Sequence, residues 1–216
     1  MARRDVSGVS HLPFEQEARS AGYRAIVGID EAGRGPLAGP VVAAAVCLPS
    51  TYDIPGLQDS KRLTAPQREE VYQLVLRESL AYGVGVVSHR LIDRHHILWA
   101  TKEAMLRAVR HLARVPDLLL IDGPIALTTV IDQRPIVRGD ASCASIAAAS
   151  VVAKVTRDRM MVAYGQRYPA YGFAQHKGYP TRDHYARLRV HGPCAIHRLS
   201  FRGVLDPPAT PGRAAS

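Results

Sequence analysis

Four acidic residues stand where ordinary surface chemistry accounts for them poorly. Asp30 and Glu31 directly follow the apolar run Ala25-Ile26-Val27-Gly28-Ile29, Asp122 follows Leu118-Leu119-Leu120-Ile121, and Asp140 follows Gly139 shortly after Ile136-Val137. Each run reads as a strand, so three strand ends each finish in a carboxylate. Two acids straight after a buried run are costly unless exposed or liganded. An Asp before Gly is also a common turn former, which explains Asp122 equally well when it is taken alone. If the three strands are neighbours with aligned ends, the four carboxylates meet on one edge of a sheet. There they repel one another unless a cation sits among them. All-oxygen ligands suit Mg²⁺ or Mn²⁺. Two such ions about 4 Å apart activate a water and stabilise the leaving oxygen of a phosphodiester. Adjacent strand residues point to opposite faces, so Asp30 and Glu31 share a site only if the strand ends or bulges at them.

The glycines that follow make such a break feasible and carry a second signal. Gly33-Arg34-Gly35-Pro36-Leu37-Ala38 formally matches a dinucleotide fingerprint, but that motif must open a helix. Here Gly39-Pro40 follow, and Val41 to Val46 reads as a strand, so the dinucleotide reading is set aside. The turn serves better as a phosphate grip, since bare glycine backbone lets N–H groups approach a ligand closely. Further candidate phosphate contacts are Lys61, in the polar loop Asp59-Ser60-Lys61, and Lys154 with Arg157, which share a helix face at i, i+3. For any single Lys or Arg the ordinary alternative is a solvated surface charge. His95-His96 does not read as a metal pair, because helix neighbours do not face each other and no glutamate spacing supports zinc. No nucleophile elbow, Walker lysine loop or zinc-hydrolase spacing occurs.

The elements that must position these residues are legible as patterns. Strands are expected at 25–29, at Val41 to Leu48, at Tyr82 to Ser88, at Leu118 to Ile121 and briefly at Ile136-Val137. Runs apolar on both faces suit a sheet covered on both sides. Thr64 and Gln67 form a capping box for a helix carrying Val71, Leu74 and Val75. A second helix is expected over Ile97 to Leu112, a long alanine-rich one over Ser142 to Tyr164, and a shorter one after Thr181. The order β-β-α-β-α-β-β-α-α predicts a mixed sheet in an α/β layered fold. Residues 1–22 read as a lead-in, 23–205 as one catalytic domain and 206–216 as a flexible, proline-containing tail.

Whole-chain properties narrow the function. With 28 Lys and Arg against 19 Asp and Glu, the formal charge of +9 favours a polyanionic partner. Cys47, Cys143 and Cys194 lie far apart without CxxC spacing, which argues against disulfides and a zinc knuckle and for a reducing, cytoplasmic setting. The first residues lack the apolar core of a secretory signal, and no apolar stretch is long enough to predict a membrane helix.

Taken in order, the motifs resemble those of bacterial ribonuclease HII. The likeness begins at Asp30-Glu31-Ala32-Gly33-Arg34-Gly35-Pro36 and continues through Asp59-Ser60-Lys61, Ile121-Asp122-Gly123, Gly139-Asp140 and Ala153-Lys154-Val155. It closes with His176-Lys177-Gly178-Tyr179-Pro180-Thr181, His184 and His197-Arg198-Leu199-Ser200-Phe201, and so spans about residues 25–203. The resemblance implies an RNase H-like fold with a five-stranded mixed sheet flanked by helices. It implies metal binding by Asp30, Glu31, Asp122 and Asp140, reading of the ribose 2′-hydroxyl by Gly33, Arg34 and Gly35, and packing of Tyr179 on the sugar at an RNA–DNA junction. The expected activity is hydrolysis of the RNA strand in RNA–DNA hybrids and cutting 5′ of ribonucleotides embedded in duplex DNA, leaving 3′-hydroxyl and 5′-phosphate ends. The 2′-hydroxyl is the group that tells RNA from DNA.

Departures are local: His96 and Cys194 stand where the family often carries Asn and Ser. Only 29 residues precede Asp30, so the extra N-terminal domain of the related ribonuclease HIII is not expected. The tail shows no glutamine–aromatic box for a sliding clamp, and a monomer is expected. Two other classes remain as rivals, a non-catalytic nucleic-acid-binding module and a dinucleotide-dependent enzyme.

Overall fold

A computed structural model describes residues 13–57 and 63–208 of the chain. Five strands form one sheet: β1 (Ile26–Ala32), β2 (Val41–Cys47), β3 (Ala81–Val87), β4 (Leu118–Asp122) and β5 (Asp132–Ile136). Their spatial order is β3-β2-β1-β4-β5. The pairs β1–β2 and β2–β3 are antiparallel, while β1–β4 and β4–β5 are parallel. The sheet is therefore mixed, as expected.

Among the described residues six helices surround it: α1 (Pro13–Ser20), α2 (Ala65–Glu78), α3 (His89–Arg110), α4 (Ala144–Arg167), α5 (Phe173–His176) and α6 (Arg182–His191). One face of the sheet packs on α3 through Val27, Ile29, Ala43, Leu119 and Ile121 against Ala100, Ala104 and Met105. The other packs on α4 and α2 through Ala44 and Val46 against Ala148, Val152, Val71 and Val75. Small residues bring α4 unusually close. A Cβ added at Gly28 would lie 2.1 Å from the Ser145 carbonyl carbon, so only glycine lets the start of α4 rest on β1 beside the acids.

The Thr64–Gln67 capping box is present at the start of α2, and Thr181 caps α6 by accepting from the His184 N–H. Helix α3 begins eight residues earlier than its periodicity suggested and is kinked at His96, whose φ of 61° lies in the left-handed region. The fifth strand also sits earlier than expected, at Asp132–Ile136 rather than Ile136-Val137. Its sequence, Asp-Gln-Arg-Pro-Ile, is too polar to announce an edge strand. Within the stretch read as a lead-in, α1 packs Ala18 and Phe14 against Ile26 and Ile146. Its Glu15 accepts from both the backbone N–H and the hydroxyl of Ser145, capping α4 from a distant part of the chain. No helix among the described residues is long and apolar enough to cross a membrane.

Candidate active site

Sheet register brings the first two acids together. β1 and β4 run parallel with Ile29 opposite Ile121, so Asp30 and Asp122 are the next residues of neighbouring strands. Neighbouring strands lie about 4.8 Å apart, and residues opposite one another share a face. β1 does not stop at Asp30, nor does it bulge. It runs on to Ala32, with Asp30 opposite Ala44 and Glu31 opposite Ala43 of β2. What ends is its other neighbour: β4 stops at Asp122, leaving that edge of β1 open from Asp30 onward. Asp30 and Glu31 both line the resulting cleft, although a straight strand turns their side chains to opposite faces.

Asp140 reaches the site by a turn, not from a strand end. Arg138 is left-handed, and Gly139–Ala141 forms one 3₁₀ turn ahead of α4. The Gly139 N–H donates to Asp122 Oδ1 at 2.7 Å, which fastens that turn to the end of β4. Asp140 itself is buried, with 8% exposure.

The electrostatics are those of surplus negative charge. Burial raises the Asp30 pKa well above the ordinary carboxylate value, and the charges of Glu31, Asp122 and Asp140 add to it. Burial also raises Glu31, opposed by the adjacent Arg34 guanidinium and reinforced by Asp122. Arg34 Nη1 donates to Glu31 Oε1 at 3.1 Å, yet Glu31 Oε2 is buried with no hydrogen-bond partner among the described residues. Asp30 Oδ1 accepts only its neighbour's backbone N–H, at 2.7 Å. Among the described residues no three Asp, Glu, His or Cys side chains cluster tightly enough to hold one ion. The donor set nonetheless fits a hard divalent cation. It is all oxygen, mutually repelling, and includes a buried carboxylate oxygen lacking the partner such atoms normally have.

The cleft has a volume of about 450 Å³ and is lined by Asp30, Glu31, Gly33, Arg34, Gly35 and Asp140, with Lys154, Tyr179, Ser150 and Arg68 on its other walls. The Gly33–Gly35 turn is held from behind by two buried guanidinium groups. Arg157, 1% exposed, donates to the carbonyls of Pro40, Lys177 and Ala38 at 3.0–3.2 Å. Arg198, 0% exposed, donates to those of Gly39, Arg34, Gly33 and Pro40 at 2.6–3.1 Å. Gly33, at φ 97°, has no room for a side chain: its Cβ would sit 2.1 Å from Arg157 Nε. The expected phosphate contact from Arg157 is thus not met. Every one of its nitrogens is committed to backbone oxygen, so it shapes the turn from inside. Lys154 does reach the cleft, bonded to Asp158 at 2.8 Å. Tyr179 is 39% exposed, its ring centroid 5.9 Å from Lys154 Nζ and 5.7 Å from Arg157 Cζ. Lys61 lies outside the described residues.

Sequence reasoning gave no role to Arg68, and it quoted Arg198 only within the motif His197–Phe201 without a role of its own. Arg68 directly follows the Thr64–Gln67 capping box, which marks a helix start and not a site, and its Nη2 donates to the Leu63 carbonyl at 2.6 Å. His95 and His96 form no metal pair. The His95 ring packs tilted against Trp99 at 4.3 Å, while His96 Nδ1 accepts from the Trp99 backbone N–H at 3.4 Å.

Comparison with known proteins agrees with these features. The family model described as Ribonuclease HII matches residues 27–204. A Ribonuclease HII from Geobacter metallireducens is 54% identical over 202 residues, covering 94% of this chain and 95% of that protein. One from Bacillus cereus is 52% identical over 193 residues, covering 89% of this chain and 75% of that protein. Among solved structures, the ribonuclease H2 from Pyrococcus horikoshii superposes with a TM-score of 0.73 at 26% identity, over 84% of this chain and 95% of that one. A ribonuclease HIII in complex with Mn²⁺, 18% identical with a TM-score of 0.65, shares the fold.

Proposed function

Because the chain belongs to the ribonuclease HII family, endonucleases that cleave the RNA of RNA–DNA hybrids, we propose that this cleft cuts 5′ of a ribonucleotide, including a lone one within duplex DNA. The observation that carries the reading is the surplus of buried negative charge, centred on the unpartnered Glu31 Oε2, in a chain whose formal charge is +9. A phosphodiester is drawn to the basic surface but cannot approach these acids unless cations neutralise them.

Asp30, Glu31, Asp122 and Asp140 would hold Mg²⁺ or Mn²⁺, which when bound there supply an activated water and charge neutralisation at the scissile phosphate. The remaining steps belong to the chain's own groups. The rigid Gly33–Gly35 turn presents backbone to the 2′-hydroxyl and so tests for ribose. Tyr179 supports the sugar at the junction, worth ~1–3 kcal/mol on the scale of base–aromatic stacking. Lys154 and Arg68 line the cleft where phosphates would lie. Arg34 holds Glu31 until substrate arrives and can then turn to phosphate. In this reading the protein acts as a cytoplasmic monomer in ribonucleotide removal from DNA and in degradation of RNA primers.

The test is incubation of a DNA duplex carrying one ribonucleotide, with Mg²⁺ or Mn²⁺ and with EDTA, followed by end-group mapping. The expected products are a 3′-hydroxyl and a 5′-phosphate on the ribonucleotide's 5′ side. Cutting in EDTA, equal cutting of an all-DNA duplex, or cyclic-phosphate ends would overturn the reading.

A further inference from the structure

Behind Tyr179 lies a second cluster of titratable groups that the chemistry above does not use. His184 and His197 are buried, 0% and 2% exposed, and their Nε2 atoms are 3.0 Å apart. Backbone groups fix both ends of the pair. His184 Nδ1 lies 2.9 Å from the Tyr179 carbonyl. A carbonyl only accepts, so Nδ1 carries the proton and the His184 Nε2 lone pair faces His197. At the far end the Cys194 N–H donates to His197 Nδ1 at 2.9 Å, so His197 carries its proton on Nε2. The longer 3.3 Å approach of that same Nδ1 to the Cys194 carbonyl is compatible with this assignment, since a lone pair there has no proton to give. One tautomer of each ring satisfies the three shorter contacts, and the bonds run in one direction: Cys194 N–H to His197, His197 to His184, His184 to the Tyr179 carbonyl. Phe173 packs edge-on against His184 at 5.6 Å, and the His176 ring stacks on it at 4.3 Å, so the chain has no room to rearrange.

The backbone of His197 is tied elsewhere. It bridges to Ala38, Arg198 N–H donates to the Leu37 carbonyl at 2.8 Å and Gly39 N–H to that of Ile196 at 2.9 Å. This is the loop whose first residues form the Gly33–Gly35 turn. We propose that His184 is a positioning residue for Tyr179, and that the His197–His184 chain fixes the distance between the glycine turn and the tyrosine ring. The proposal rests on the reading of Tyr179 as a substrate contact. It explains why a half-exposed aromatic at the cleft is backed by neutral, fully paired histidines.

Two measurements test it. In ¹⁵N-histidine spectra of the natural protein at pH 7, His184 should be the Nδ1–H tautomer and His197 the Nε2–H tautomer; the reverse tautomers, or a cationic ring, would overturn the chain without reference to activity. In a double-mutant cycle on the single-ribonucleotide duplex, Tyr179→Ala and His184→Ala should each lower kcat/KM roughly tenfold. The double variant should fall no further than Tyr179→Ala alone. His184→Asn, which keeps a donor at the Nδ1 position, should recover most of the loss. If the two losses multiply, the coupling is wrong while the role of Tyr179 stands. If Tyr179→Ala changes nothing, the role of Tyr179 fails and the coupling with it. Should His184→Ala not fold, the tautomer spectra still decide.

Discussion

Two regions flank the same cleft and bury polar groups in opposite ways. At the sheet edge, Asp30, Glu31, Asp122 and Asp140 are gathered with their negative charges repelling one another, and Glu31 Oε2 has no partner among the described residues. In the corner where α4 meets α5, α6 and the segment after them, Arg157, Arg198, His184 and His197 are equally buried, yet each of their side-chain nitrogens meets an acceptor or a fixed donor. Native structures pair their buried polar groups almost without exception, so the satisfied corner reads as scaffold. The unsatisfied edge reads as a place where something else must bind. The difference separates residues that do chemistry from residues that hold them, which residue type alone does not.

The comparison breaks most directly at the acids. Asp30→Asn should lower cleavage by roughly 10³-fold, the upper scale for removing one preorganised electrostatic group. Its urea midpoint should stay level or rise, because a repelling charge has gone. A variant that loses both activity and stability would place Asp30 in the scaffold instead. Arg198→Met is the mirror experiment. It orphans the carbonyls of Gly33, Arg34 and Gly39 and leaves that of Pro40 only its bond from Arg157, and it should cost about 3 kcal/mol of stability by urea denaturation. An Arg198→Met protein as stable as the parent would show that those carbonyls find water at no cost. Metal sharpens the contrast. At a hundredfold excess over Kd, Mg²⁺ or Mn²⁺ should stabilise the protein by about 2.7 kcal/mol. The gain should vanish with EDTA and shrink in Asp30→Asn, and a melting curve indifferent to both ions would count against the site.

The smallest effect is one of pH, and its sign differs between the two regions. Burial pushes His184 and His197 down to about 4 from 6.5, with His176 and His89 nearby adding to the depression and Asp183 opposing it at His184. Their stabilisation is present above about 6.5 and is lost as pH falls toward 4, since the unfolded chain then binds protons that the folded one refuses. Asp30 is raised above its ordinary value of 3.8, so its repulsion is absent below that pH and grows as pH rises through the raised value. Between pH 7 and 5 in EDTA, the two trends partly offset. Asp30→Asn removes one of them and should lose more stability on acidification than the parent. Parallel pH profiles for the two proteins would mean that Asp30 is not repelled.

Much of the fold was legible because burial writes itself into periodicity. The first four strands, the capping box at Thr64, the N-cap at Thr181 and the α4 helix all stand near their expected positions. The misplaced elements are those with little apolar signal. β5 is an edge strand of polar residues, and the turn of α3 before His96 ends at a left-handed residue that breaks the helical pattern.

The sequence by itself determined the inventory: which carboxylates close which apolar runs, which glycines a turn demands, and the family to which the motifs belong. Only the tertiary structure decided how that inventory is used. Asp30 and Asp122 become neighbours through a parallel register set by residues 92 positions apart. Arg157, sharing a helix face with Lys154, leaves the surface because three distant carbonyls take its nitrogens. Local pattern records what a residue can do. Its electrostatic role depends on which far-off backbone groups reach it first, and that is settled by packing.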